Sequence, residues 1–170
     1  MTTGWRKIAL TAHVSSSAGW TGAVAAFLAL VLTGLHTRDV RMAQVVYPAM
    51  QIIARYVIVP LTCASLLSGL VQALGTRWGL FRYRWVWVKF VLTVFATAVL
   101  LAKLPLIASV ARQSSIAASS HSLHFGAMQL AVHAAGGVLV LLSITAISVF
   151  KPWGLTEYGN KKMKTFQAST

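Results

Sequence analysis

The sequence predicts an all-α fold, an integral membrane four-helix bundle with N-in/C-in orientation, and three observations predict it. First, 57% of the 170 residues are hydrophobic and 10% are charged, with a mean hydropathy of +0.72. A soluble domain carries about 25% charged residues, so this much apolar surface has no place in a soluble core of similar size. Second, four runs reach the ~20 mostly apolar residues that a bilayer crossing requires, and short connectors join them. Third, the basic residues are divided unevenly between the two sets of connectors, which fixes the orientation.

The first run extends from about Ile8 to Leu35. Arg6 and Lys7 precede it, as in a secretory signal, but the apolar stretch is too long for one and no small-residue cleavage site follows; it is read as a retained helix. The second, Arg41 to Leu74, exceeds what a bilayer needs and is expected to tilt or kink at Pro48 and Pro60. The third covers Trp85 to Ile107 and the fourth Phe125 to Phe150, stopped by Lys151-Pro152. The connector Ser109 to His124, rich in Ser, Ala and His, is expected to be a mobile loop. One transmembrane domain over 1–170 accounts for the chain, so any chemistry sits within the helices or at their ends.

Fifteen Lys and Arg stand against two acids, Asp39 and Glu157, for a net charge of +13. The basic residues cluster at helix ends with no nucleic-acid motif, so they are read as topology signals and contacts to the lipid bilayer, and no nucleic-acid partner is expected. Arg6, Lys7, Arg77, Arg82, Arg84, Lys89, Lys151, Lys161, Lys162 and Lys164 fall on the side of the termini; the opposite connectors hold Arg38, Arg41 and Arg112. Basic residues near helix ends stay in the cytoplasm, which places both termini inside. Trp78, Phe81, Trp85 and Trp87 then form an aromatic belt at that interface. Ser15, Gly19 and Ala23, and Ser65 and Gly69, are small residues spaced four apart, a pattern that lets helices approach closely in lipid. No internal repeat of the transporter kind is visible. Cys63 is alone in an apolar run, which excludes an intrachain disulfide.

Three stretches are recognisable together: HVSSSAGWTGAVAAFLALV at 13–31, IVPLTCASLLSGLVQALGTRWGLFRYRWVWVKFVLT at 58–93 and VFKPWGLTEYG at 149–159. In these the chain resembles small bacterial four-helix integral membrane proteins of unknown function. The resemblance implies a multi-pass protein of the bacterial cytoplasmic (inner) membrane and brings no activity with it. Within the first helix, His13, Trp20 and Gly22 form an H-x6-W-x-G pattern similar to the opening of copper-resistance D-type and membrane protoporphyrinogen oxidase-type proteins. The second of these likenesses implies a haem-associated role for His13.

Two acids, one at a membrane edge and one beyond the helices, exclude paired-carboxylate chemistry, an oxygen cage for Ca²⁺ or Mg²⁺ and a carboxylate proton relay. Histidine remains. His133 lies within the fourth run, one turn after Gln129 and one turn before Gly136 and Gly137, a polar and open face suited to a flat cofactor such as haem b. An intramembrane His is a functional candidate because burying it without a partner is costly; a hydrogen bond to a neighbouring helix is the alternative for both His133 and His13. On a 1.5 Å rise, His13 and His133 differ in depth by ~10 Å or more, which weakens a shared iron; Met50 lies nearer the depth of His133 and makes a His/Met pair the better geometry. Arg55 falls near the middle of the second run, where a charge costs ~3 kcal/mol, so it is expected to meet a haem propionate, a lipid phosphate, an anionic substrate, carbonyls freed by Pro60 or an acid on a partner subunit. Lys89 and Lys103 are expected to snorkel to headgroups. His121 and His124, with His36, form a weak outer metal pattern that solvated loop histidines explain as well. Two further readings stay open beside a haem-binding or redox-linked protein. One is a non-catalytic accessory subunit, in a hetero- or homo-oligomer; the other is a small transporter.

Overall fold

A computed structural model describes residues 2–75, 83–116, 121–152, 154 and 156. Its long elements are four helices: α1 (Thr3–His36), α2 (Val40–Gly75), α3 (Arg84–Ile116) and α4 (His121–Phe150), each long and apolar enough to cross a membrane. The four-helix, all-α expectation stands. Arg77, Trp78, Phe81, Arg82, Glu157, Lys161, Lys162 and Lys164 lie outside the described residues.

α1 runs unbroken because its interior holds no Pro. Its buried residues, Ser16, Trp20, Val24, Phe27, Val31 and Gly34, recur at steps of four and three, the spacing of a seam that one helix presents to its neighbours. A short link, Thr37 to Asp39, returns the chain into α2. The Asp39 backbone N–H donates to Thr37 Oγ1 (3.1 Å), and the Asp39 carboxylate accepts from the Arg41 backbone N–H (2.9 Å), capping α2. Tyr47, 2% exposed, lies against Gly34, where a Cβ would come within 2.7 Å of the Tyr47 ring. Glycine is what lets the two helices close here.

α2 contains a π-turn, Ala54–Ile58, in which the Val59 backbone N–H donates to the Ala54 carbonyl, one residue further back than in an α-helix. Pro60 supplies the cause. It has no N–H for the Tyr56 carbonyl, and its ring crowds that carbonyl, so the turn before it widens. The kink expected at Pro60 is therefore a π-turn.

α3 runs through Pro105 and ends at Ile116, nine residues beyond its expected end at Ile107. The expected mobile loop from Ser109 to His124 is corrected accordingly: helix covers 109–116 and resumes at His121. The serines that suggested a loop satisfy their hydroxyls within the helix. Ser109 donates to the Leu106 carbonyl (2.8 Å), Ser114 to Ala111 (2.8 Å) and Ser115 to Arg112 (2.7 Å). Ile107, Val110, Ala111 and Ser114 form the buried face of α3 and continue its contact with the bundle.

The helices form a square, each packed on its neighbours in sequence and α1 also on α4. Neither diagonal pair, α1 with α3 or α2 with α4, brings Cα atoms within 8 Å.

Candidate functional site

Two cavities lie along the bundle. One, of about 520 Å³, opens at the end that carries the first turns of α1 and the last residues of α4. The other, of about 390 Å³, lies deeper, between Trp20, Val24 and Phe27 of α1, Ile58 of α2, the middle of α3 and the middle of α4. Both volumes fall within the range of about 300–1,000 Å³ usual for small-molecule sites.

His133 lines the deeper cavity, with Gly136 and Gly137 one turn on. Its Nδ1 lies 2.7 Å from the Gln129 carbonyl. A carbonyl only accepts, so Nδ1 carries a proton, and in the neutral ring Nε2 then keeps its lone pair. Metal-ligating histidines are commonly held in this way, with one ring nitrogen tied to a carbonyl and the other free to ligate. A Cβ on Gly136 would meet nothing within 4 Å, and one on Gly137 would come 3.6 Å from Val24 of α1. The first glycine leaves open space and the second brings α4 against α1.

Lys103 lines the same cavity. With α3 continuing to Ile116, Lys103 sits thirteen residues, or ~20 Å, from the nearer helix end. Its place on the cavity wall is not legible in the sequence, which does not show which face of α3 meets α4. Apart from Lys103 and His133 the lining is apolar.

Met50 does not join His133. It is fully buried in the apolar core and lines neither cavity, so the His/Met pairing finds no support in this arrangement. His13 lines the other cavity, its Nδ1 3.1 Å from the Ser65 carbonyl and 3.2 Å from Ser68 Oγ. That is the interhelical hydrogen bond named as its alternative reading, and it joins α1 to α2 beside Gly69, where a Cβ would come 3.0 Å from the imidazole. Ser17 and Ser65 hydroxyls meet at 2.8 Å one turn away.

Arg55 is exposed on the outer face of α2, inside the π-turn, and makes no hydrogen bond or ion pair among the described residues. It lines neither cavity. His121 and His124 are exposed in the first turn of α4, and His36 is exposed at the end of α1 with Nδ1 2.8 Å from the Leu32 carbonyl. No group of three His, Cys, Asp or Glu side chains able to hold a metal ion occurs among the described residues.

The fold defines the class, an all-helical chain of four membrane-span-capable helices, compatible with a multi-pass membrane protein. Comparison with family models, curated proteins and solved structures finds no match.

Proposed function

We propose that this is a multi-pass protein of the bacterial cytoplasmic membrane, both termini inside, that binds haem b in its deeper cavity through His133. The observation that carries the reading is the His133 imidazole, its Nδ1–H held by the Gln129 carbonyl and its Nε2 left over, on the wall of a cavity that is apolar apart from His133 and Lys103. A bare metal ion needs several protein ligands; haem brings four ring nitrogens of its own and needs only an axial one. The cation of Lys103 on the same wall suits a propionate. Bound there, haem would supply redox or gas-binding chemistry; His133 would ligate it and Lys103 would meet a propionate. His13 and Met50 lie outside this cavity, so His133 is the one residue of the three that would hold the group there.

The test is the absorption spectrum of protein purified from cells supplied with haem precursor. The expected result is a Soret band, lost in His133→Ala and kept in His13→Ala, His36→Ala and His121→Ala. A colourless protein, or equal loss in all four variants, would sink the reading.

Arg55 favours a second reading, an accessory subunit whose partner spans the membrane with an acid at mid-depth. A charge of ~3 kcal/mol insertion cost on the outer face of a span is retained where something outside the chain meets it. A photo-crosslinker at Tyr56, exposed beside Arg55, should yield one discrete product in membranes that disappears in Arg55→Leu. No product, or the same product in both, would exclude this partner.

A further inference from the structure

The deeper cavity is not closed on every side. Two side chains that line it, Phe95 of α3 and Val132 of α4, are also 61% and 63% exposed at the outside of the bundle, and Gly136, one turn after Val132, both lines it and is exposed. Residues that touch a cavity and the exterior at once mark an opening. Elsewhere the same two helices are shut: a Cβ on Gly126 of α4 would come 2.8 Å from Val110 of α3. Ten residues further along α4, or ~15 Å, a Cβ on Gly136 would meet nothing within 4 Å among the described residues. No described residue of α3 before Ile107 is buried.

Depth decides what the opening faces. Val132 and Gly136 stand at least eleven residues, or ~16 Å, from either end of α4, and the hydrocarbon core of a bilayer is about 30 Å thick. For a helix that crosses a membrane this is the middle, where acyl chains and not water lie outside. Glycine weakens a helix, yet α4 places two in succession. Gly137 has a packing reason in its approach to Val24. Gly136 has no such contact, and what it supplies is the gap.

From this geometry we infer that the deeper cavity exchanges its occupant sideways with the bilayer, through a portal between α3 and α4 framed by Phe95, Val132 and Gly136. The route and the walls define the class of occupant: a largely apolar molecule dissolved in the hydrocarbon layer and carrying an acid for Lys103, since a cation reached through hydrocarbon calls for an anion. Haem b is such a molecule. That identity rests on the proposed ligation by His133, whereas the portal rests on the helices alone.

Trp20 lines the cavity from α1 and is 3% exposed, which makes its fluorescence the reporter. The full chain without haem, with the other five tryptophans replaced by phenylalanine, is placed in vesicles of phospholipid brominated at mid-chain. Gly136→Leu, which fills the portal, should cut the quenching of Trp20 at least twofold. Gly22→Leu should leave it unchanged. Gly22 is exposed on α1 two residues from Trp20, and a Cβ there would also meet nothing within 4 Å, so this variant screens approach from outside α1. Undiminished quenching in Gly136→Leu, a loss in Gly22→Leu alone, or aqueous iodide quenching Trp20 as strongly as the lipid would overturn the portal. Haem exchange between the loaded protein and haem-free vesicles gives a second reading with every tryptophan in place. Gly136→Leu should slow uptake and release alike, at least twofold, because a narrower portal raises the barrier in both directions, whereas a loss of affinity speeds release. Release faster than in the wild type would overturn the route. A wild-type chain that takes up no haem overturns the haem reading alone, and the quenching then decides the portal.

Discussion

Thr62, 1% exposed, buries a hydroxyl with no hydrogen-bond partner among the described residues, two positions after Pro60. A buried unmet hydroxyl costs about 1–3 kcal/mol, and valine keeps the shape without it. Thr62→Val should therefore raise the melting temperature in detergent; a fall would mean that the hydroxyl is satisfied by water. Arg55 behaves oppositely. Arg55→Leu should insert as well as the wild type or better, since ~3 kcal/mol of insertion cost is removed, while disrupting whatever meets the guanidinium. Unchanged partner cross-linking after that substitution would reduce Arg55 to a tolerated charge. Residues of this kind were legible in sequence because a polar letter in an apolar run stands out, as His133 and Arg55 do. The place of Lys103 beside His133 was not, because it depends on how α3 packs against α4. The serines at 109, 114 and 115 look like loop until their hydroxyls are seen bonded to carbonyls of their own helix.

The second helix shows how one residue sets the register of an element. Its buried residues Met50, Ala54, Ile58 and Thr62 follow one another at steps of four. In an α-helix each such step drifts by about 40°, because 3.6 residues complete a turn. The wider π-turn before Pro60 absorbs that drift and keeps Met50 and Ser65 on one face. Pro60→Ala removes the cause and favours a regular α-helix, gaining up to ~3 kcal/mol in intrinsic propensity, yet it should lower the thermal stability, because one half of α2 then turns its seam away from the bundle. A stability equal to or above wild type would show that the π-turn aligns nothing. Gly34→Ala tests the hairpin of α1 and α2. A Cβ 2.7 Å from the Tyr47 ring must displace a buried aromatic, and such overpacking costs about 1–3 kcal/mol, read as a lower melting temperature. That four helices exist was plain from length and hydropathy. Which face of each is buried was not, because lipid-facing and core-facing positions are alike apolar. Exposed Leu32, Leu67 and Leu139 and buried Leu130 and Leu141 carry the same letter.

For the whole molecule, the packing of the four helices forms two unlike cavities, one largely apolar with His133 and Lys103 on its wall and a cationic one at the end with the first turns of α1. Sequence depth alone suggested that His13 and His133 do not share an iron, and each lines a different cavity. The clustering of Arg6, Lys7, Lys89 and Lys151 around one space depended on three helix ends meeting, which no spacing along the chain encodes. The orientation we propose rests on basic residues near those ends, and it decides which leaflet the cationic cavity faces. The most direct measurement is a series of dual-reporter fusions in the living cell, one at Thr2, one in the link at Arg38, one in the 117–120 segment and one after Pro152. Four crossings with both termini inside predict a cytoplasmic signal at Thr2 and after Pro152 and an external signal at Arg38 and within 117–120. A terminus reporting outside, or two fusions across one helix reporting the same side, would contradict the account.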